Sequence, residues 1–249
     1  HRYRDDKLSI KDVSMKIREI VEAYLISQGV NPKIPPLPLF SDDFIAKVNK
    51  KTPKAKVEEL EYAIREHIEK HFEEDPEFYE RFSDRLKKIL EEYKENWDLL
   101  AQELENLRSE IKKGRESEQT FGLDPKNEMP FFGLLKGMIF GKQPLEQLGE
   151  KNIEFLVNLT QDVLSIIKNE ITSVDFWENE TKQKKLKSYI ISHLLEHIAP
   201  RRQANNLVAD GTTSYMNKYE DSIFNKRNEI AQRLFELAYH IYGGKQHAG

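Results

Sequence analysis

The feature that most constrains the fold is the spacing of apolar residues in the middle of the chain. Ten of them follow one another at intervals of three or four: Tyr79, Phe82, Leu86, Ile89, Tyr93, Trp97, Leu100, Leu104, Leu107 and Ile111. That spacing places them along one face of a helix, whereas a half-buried strand requires alternation at every second residue. If the helix continues unbroken to Gly114 it is about 57 Å long, and we predict an elongated domain with one long coiled-coil-like helix.

Helical spacing also recurs on both sides of this segment. Asp75 followed by Pro76 predicts an N-cap and first helical residue for the long helix. Four prolines between residues 32 and 38 predict an extended stretch, because proline fixes φ and lacks an N–H donor. Further helices are predicted at 11–28, 42–48, 53–72, 131–140, 153–171, 178–198 and 223–241.

The predicted fold class is therefore all-α, since no segment has a strong period of two. We expect a single domain over residues 1–249, with two possible sub-parts: a long-helix arm at 1–120 and a helical bundle at 121–249. The segment 153–171 is apolar on most faces, which predicts the central helix of that bundle.

Composition limits the class of protein. Hydrophobic residues make up 38% and charged residues 33%, a balance typical of amphipathic helices in a folded domain. The chain contains no cysteine, which excludes disulfides and thiolate metal sites. It has no signal peptide and no apolar run near the ~18 residues of a membrane span, so we expect a soluble, cytoplasmic protein. Because it begins with His1, we expect a piece of a longer polypeptide.

Charge is unevenly distributed along the chain. Residues 58–80, the acidic segment, hold ten acids and two bases, whereas residues 182–202, the basic segment, hold six bases and one acid. A cluster of bases is the usual footprint of nucleic-acid binding, although it is also common on solvated helices. Candidate DNA contacts are Lys182, Lys184, Lys185, Lys187, Arg201 and Arg202. Candidate partner contacts are Glu66, Glu69 and Glu73 of the acidic segment and the aromatic pair Phe131 and Phe132.

Several patterns imitate sites of chemistry but lack a required part. Gly137 to Gln143 is one residue short of a phosphate-binding loop and lacks its hydroxyl. His67 and His71 lie one turn apart, but the glutamate between them is out of the order found in zinc proteases. Asp175, Glu180 and Lys182 imitate a magnesium nuclease, whose carboxylates normally converge from adjacent strands. We predict no catalytic, cofactor-binding or metal-binding residue.

The residues around Asp175 have a structural interpretation. Asp175 or Asn179 is expected to cap the helix that follows, because short polar side chains accept hydrogen bonds from the first helical amides. Phe176 and Trp177 are expected to pack back onto the central helix at 153–171.

Four stretches together resemble the C-terminal helical region of the R (motor and nuclease) subunits of type I restriction enzymes. They are AIREHIEKHFEEDPEFYERFSDRLKKIL at 63–90, GLDPKNEMPFFGLL at 122–135, VDFWENETKQKKLKSYIISHLL at 174–195 and NKRNEIAQRLFELAYHIY at 225–242. They occur in the family's order, and the Asp-Phe-Trp and Glu-Asp-Pro tripeptides are the most distinctive parts.

The resemblance implies a parent protein that is an ATP-dependent, Mg²⁺-dependent deoxyribonuclease whose nuclease and motor parts precede this region. It implies that this region is not itself the enzyme, carries no cofactor, and docks the R subunit onto methyltransferase and specificity subunits. Two other classes stay open: a DNA-contacting helical module, supported by the basic segment, and an unrecognised helical enzyme, which a polar cavity would support.

Overall fold

The computed structural model describes residues 37–205 and 214–243. Within them the protein is built from helices, with no strand, so the all-α prediction is confirmed. No helix in these two ranges is long and apolar enough to cross a lipid bilayer. The helix predicted at 11–28 lies outside the described residues, as do the prolines before residue 37.

Eight α-helices cover most of the described residues. They are α1 (Asp42–Val48), α2 (Pro53–His71), α3 (Pro76–Glu92), α4 (Trp97–Lys113), α5 (Met129–Phe140), α6 (Glu150–Ile171), α7 (Glu180–Asn205) and α8 (Ser214–Tyr242).

Local capping signals set several of these boundaries. The amide of Phe78 donates to Oδ1 of Asp75 at 3.2 Å, which confirms the predicted cap of α3 with Pro76 in the first helical position. Ser41 caps α1 in the same way, through the amide of Phe44. These caps satisfy backbone N–H groups that have no partner inside the helix.

The prediction of one long helix through residues 76–113 is wrong. Helix α3 ends at Glu92 and α4 begins at Trp97, because Asn96 caps a new helix by accepting a hydrogen bond from the amide of Leu99 at 3.1 Å. The amide of Asn96 in turn donates to the carbonyl of Tyr93, which closes the turn between the helices. Trp97, which the spacing placed in the buried seam, is 40% exposed.

The described residues divide into two compact units. Unit 1 contains residues 37–70 and Leu86–Arg108, and unit 2 contains His71–Arg85, residues 109–205 and 214–243. In unit 1 the apolar faces of α1, α2 and the adjoining parts of α3 and α4 are buried, among them Phe44, Leu60 and Leu104. Whether the predicted sub-parts at 1–120 and 121–249 fold separately stays a prediction.

Unit 2 contains a four-helix bundle. Helix α5 contacts α6 and α8, and α7 also contacts α6 and α8, so that each helix packs on two neighbours. The core is formed by large apolar side chains from all four helices, including Phe131, Leu159, Leu194 and Leu234, all fully buried. The helical bundle expected in this part of the chain is therefore present.

A buried ion network lies beside the bundle within unit 2. Arg115 is only 5% exposed, and its guanidinium donates to both carboxylate oxygens of Asp75, to Glu77 at 2.8 Å and to Glu118 at 2.9 Å. Gly133 of α5 permits this approach, because a Cβ at that position would lie 2.8 Å from Nη2 of Arg115. The network joins the start of α3 to the segment that follows α4, two parts of the chain distant in sequence.

Candidate functional site

The basic segment begins at the N-terminus of α7, and the residues just before it determine how that helix starts. Asn179 caps α7, since its Oδ1 accepts from the amides of Thr181 at 3.1 Å and Lys182 at 3.2 Å. Asp175 adopts a left-handed backbone conformation with φ of 57° and does not cap the helix. Of the two predicted caps, Asn179 is therefore the one that caps α7. The Asp175 carboxylate instead accepts a hydrogen bond from Lys182.

The aromatic pair between them fixes this segment to the bundle. Phe176 is fully buried in a 3₁₀ turn that contacts α6 and α7. The Trp177 ring faces Phe235 and Tyr239 of α8, with ring centroids 6.1 Å and 5.4 Å away. Its packing on α6 stays a prediction. The buried indole N–H of Trp177 has no hydrogen-bond partner. The Asp-Phe-Trp tripeptide therefore serves the fold.

Lys182 is held by local contacts instead of facing a ligand. Its ammonium donates to Oδ1 of Asp175 and to the carbonyl of Val174, both at 2.6 Å. The hydrogen bond from Lys182 lowers the pKa of the Asp175 carboxyl, which keeps the pair ionised. Lys182 therefore stabilises the turn before α7, and a phosphate would have to compete with an existing carboxylate.

The other lysines of the basic segment differ in how far they reach into solvent. Lys184 and Lys185 are exposed, the first 3.2 Å from a Glu180 carboxylate oxygen and the second above the Tyr189 ring at 5.0 Å. Lys187 is half-buried and donates to Oε1 of Gln232 at 3.1 Å. Lys184 and Lys185 are therefore the cations best placed to meet a phosphate.

Arg201 and Arg202 complete the basic segment. Both lie on the backbone of α7, and their side chains are outside the part that the structure describes. They stay predicted DNA contacts on sequence grounds.

Phe131 and Phe132 lie in the core of unit 2. They are 0% and 1% exposed, and the Phe131 ring stacks on Tyr242 at 6.2 Å while Phe132 packs on Phe121 at 5.5 Å. A partner that touched either ring would have to displace the bundle core. Their apolar character is explained by packing within the chain.

The acidic residues singled out by sequence lie in both units. In unit 1, Glu66 is half-buried and Glu69 is exposed on the C-terminal half of α2. In unit 2, Glu73 follows α2 and accepts from Nε2 of His240 on α8 at 2.7 Å. Because Glu66 and Glu69 lie on one helix and Glu69 is exposed, these two are candidates for contact with another molecule.

The residues of two patterns that imitate known sites have other partners in the structure. Asp175 pairs with Lys182, and Glu180 pairs with Lys184. Lys142, in the stretch that resembles a phosphate-binding loop, instead forms ion pairs with Glu80 and Asp84 at 3.0 Å and 2.7 Å. A groove of about 360 Å³ in unit 1 is open to solvent, and the Lys56 and Glu105 that line it pair with each other at 3.3 Å.

The structure also brings together a histidine cluster that sequence reasoning missed. Nε2 of His193 and Nε2 of His197, one turn apart on α7, are 3.0 Å from each other. Oδ2 of Asp162 on α6 lies 3.5 Å from the first of these nitrogens and 3.0 Å from the second. The i, i+4 spacing of the two histidines was visible in the sequence, but the aspartate joins them only through the packing of α6 on α7.

The chain matches, over residues 4–210, the family model described as type I restriction enzyme HindI endonuclease subunit-like, C-terminal. The chain therefore belongs to this family, which comprises the C-terminal regions of restriction endonuclease subunits.

A curated relative is consistent with this. The chain is 24% identical over 248 residues to the putative type I restriction enzyme MjaIXP endonuclease subunit of Methanocaldococcus jannaschii. The match covers 96% of this chain and 20% of the relative, so the chain spans about a fifth of that protein's length. No solved structure matches the chain.

Proposed function

We propose that this chain is the helical assembly domain of a type I restriction endonuclease R subunit and does not itself catalyse the reaction. It docks the DNA-translocating and DNA-cleaving subunit onto the methyltransferase and specificity subunits. The observation that carries the proposal is the family match over residues 4–210, which assigns the chain to the C-terminal part of one subunit of a restriction enzyme. ATP and Mg²⁺ belong to the other parts of the parent protein.

The distribution of charge supports docking through the acidic segment. Glu66 and Glu69 project from a helix whose other face is buried in unit 1 by Leu60, Ile64 and Ile68. A helix fixed on one side by its core presents its opposite side in a constant geometry, which favours a specific protein contact. Carboxylates there attract a basic surface and improve both association rate and selectivity.

Charge reversal on α2 is the test of this surface. We expect Glu66→Lys with Glu69→Lys to weaken binding to the methyltransferase–specificity complex by about tenfold or more, since like charges then face each other. Isothermal titration calorimetry at low and moderate salt measures the change. Glu91→Lys with Glu95→Lys is the matched control, because it makes the same charge change at exposed residues of unit 1. An equal loss of affinity in both double variants would argue against Glu66 and Glu69 as the docking surface.

A DNA-contacting module is the second candidate, and the exposed position of Lys184 and Lys185 favours it. Against it, Lys182 and Lys184 already face carboxylates, and the chain carries a formal net charge of −4. Electrostatic attraction to a polyphosphate is reduced by both facts. We therefore expect the isolated chain to bind duplex DNA weakly.

Neutralising the exposed lysines separates the two candidates. Lys184→Gln with Lys185→Gln should remove most of the weak DNA binding and lower the slope of log affinity against log salt by up to ~0.9 per lost phosphate contact. Docking to the partner complex should be unchanged. Fluorescence anisotropy with a labelled duplex measures the slope, and Lys112→Gln with Lys113→Gln, also exposed, is the control. Tight DNA binding that survives high salt would favour the DNA-contacting module instead.

A further inference from the structure

We propose that Asp162, His193 and His197 form a binding site for a divalent transition metal ion, with Zn²⁺ as the ion of the best-matched chemistry. Within the part of the chain that the structure describes, these are the only three metal-ligating side chains found with donor atoms inside 4.8 Å of one another. The site is independent of the proposed docking function, because it lies on α6 and α7 and contains none of the docking or DNA-contact residues.

The distances among the three donor atoms fit a metal centre. Two imidazole nitrogens and one carboxylate oxygen form a triangle with sides of 3.0, 3.0 and 3.5 Å. Zn²⁺ holds nitrogen and oxygen ligands at about 2.0–2.1 Å in a tetrahedron, which sets the donor atoms about 3.3 Å apart. An ion can therefore be placed within bonding distance of all three atoms with little movement of the side chains.

Neighbouring groups hold the two imidazole rings in place. The Glu196 carboxylate lies 3.8 Å from Nδ1 of His193, while Nε2 of the same ring faces Asp162 and His197. The Phe155 ring packs edge-on against the His197 ring at 6.1 Å and restricts its rotation. The two histidines are mostly buried while Asp162 is half exposed, so solvent can supply a fourth ligand.

The donor set defines the class of ion. Two neutral imidazoles with one carboxylate suit Zn²⁺ and its neighbours Co²⁺ and Ni²⁺, whereas Mg²⁺ prefers an octahedral shell of oxygens. Binding would tie residue 162 of α6 to two consecutive turns of α7. An ion that binds the folded chain and not the unfolded chain stabilises the fold, so the site would clamp one helix pair of the bundle.

The test is titration of the 249-residue chain with ZnCl₂ by calorimetry, together with thermal unfolding at each zinc concentration. We expect one ion per chain at this site, a rise in Tm with zinc, and no such response to MgCl₂. Asp162→Asn and His193→Ala should each weaken Zn²⁺ binding by more than about 100-fold, because the loss of an outer-shell partner alone typically costs about 10–100-fold. His240→Ala, a histidine outside the cluster, should retain wild-type affinity.

A second readout keeps the proposal independent of variant stability. Co²⁺ bound to the wild-type chain should give the intense visible absorption of a tetrahedral site, and ZnCl₂ should displace it. Asp162→Asn, which keeps the shape of the side chain at a half-exposed position, should lose that absorption while its circular dichroism is unchanged. Equal zinc affinity in wild type and both cluster variants would show that the three residues form only an ion pair and hydrogen bonds between helices.

Discussion

Arg115→Ala should lower the free energy of unfolding by about 3–5 kcal/mol, the typical cost of removing one partner from a buried ion pair. The reason is that Asp75 is buried and would lose both hydrogen bonds that it accepts from the guanidinium. Burial raises the pKa of the Asp75 carboxyl, and Arg115 opposes that rise. Without Arg115 the carboxyl must either stay charged in an apolar setting or bind a proton, and both options destabilise the fold.

Urea unfolding followed by circular dichroism measures this loss, and Arg85 provides the control. Arg85 also pairs with a carboxylate, that of Glu110, but its side chain is 46% exposed. Arg85→Ala should therefore cost only about 0.2–1 kcal/mol, as exposed ion pairs do. Equal free energies of unfolding for the two arginine variants would show that the buried network contributes no more to stability than an exposed ion pair.

Phe176→Ala should also lower the free energy of unfolding by about 3–5 kcal/mol, because truncating a buried aromatic ring loses its contacts and leaves a cavity. Phe176 is fully buried at the point where the chain turns from α6 into α7. The helices on either side cannot close the gap without shifting the cap at Asn179. The effect should appear as a fall in both Tm and the urea midpoint.

Val174 offers a control in the same turn. It is 86% exposed, so Val174→Ala should change stability by no more than about 0.5 kcal/mol. A small effect of Phe176→Ala, similar to that of Val174→Ala, would mean that the turn before α7 is not anchored by its aromatic residue.

Local signals in the sequence were sufficient for most of the helices. Asp75 with Pro76 marks the start of α3 correctly, because capping depends only on residues within one turn of each other. The prediction of a single long helix failed because Asn96 caps a new helix inside the periodic stretch. The apolar spacing runs on across the break from Ile89 to Tyr93 and Trp97, so the capping residue Asn96 was the visible sign of the break. Periodicity alone shows that residues share a face, not that the backbone is continuous.

The candidate site residues depend on tertiary packing, and sequence reasoning reached them less well. Phe131 and Phe132 are aromatic residues of the kind found at protein interfaces, but both are buried in the core. Lys182 belongs to a basic run but is held by Asp175, seven residues earlier. The histidine cluster needs Asp162 from another helix. Asp162 precedes His193 by 31 positions and His197 by 35, and no sequence spacing predicts contacts at such separations.

If this chain is an assembly domain, it should bind the methyltransferase–specificity complex without the rest of the R subunit. The purified chain should be titrated into the complex by calorimetry, first without DNA and then with a duplex bound to the complex. We predict saturable binding at a fixed stoichiometry without DNA, while the chain alone binds the same duplex only weakly. Absence of binding to the complex, together with tight and salt-resistant binding to the duplex, would contradict an assembly role.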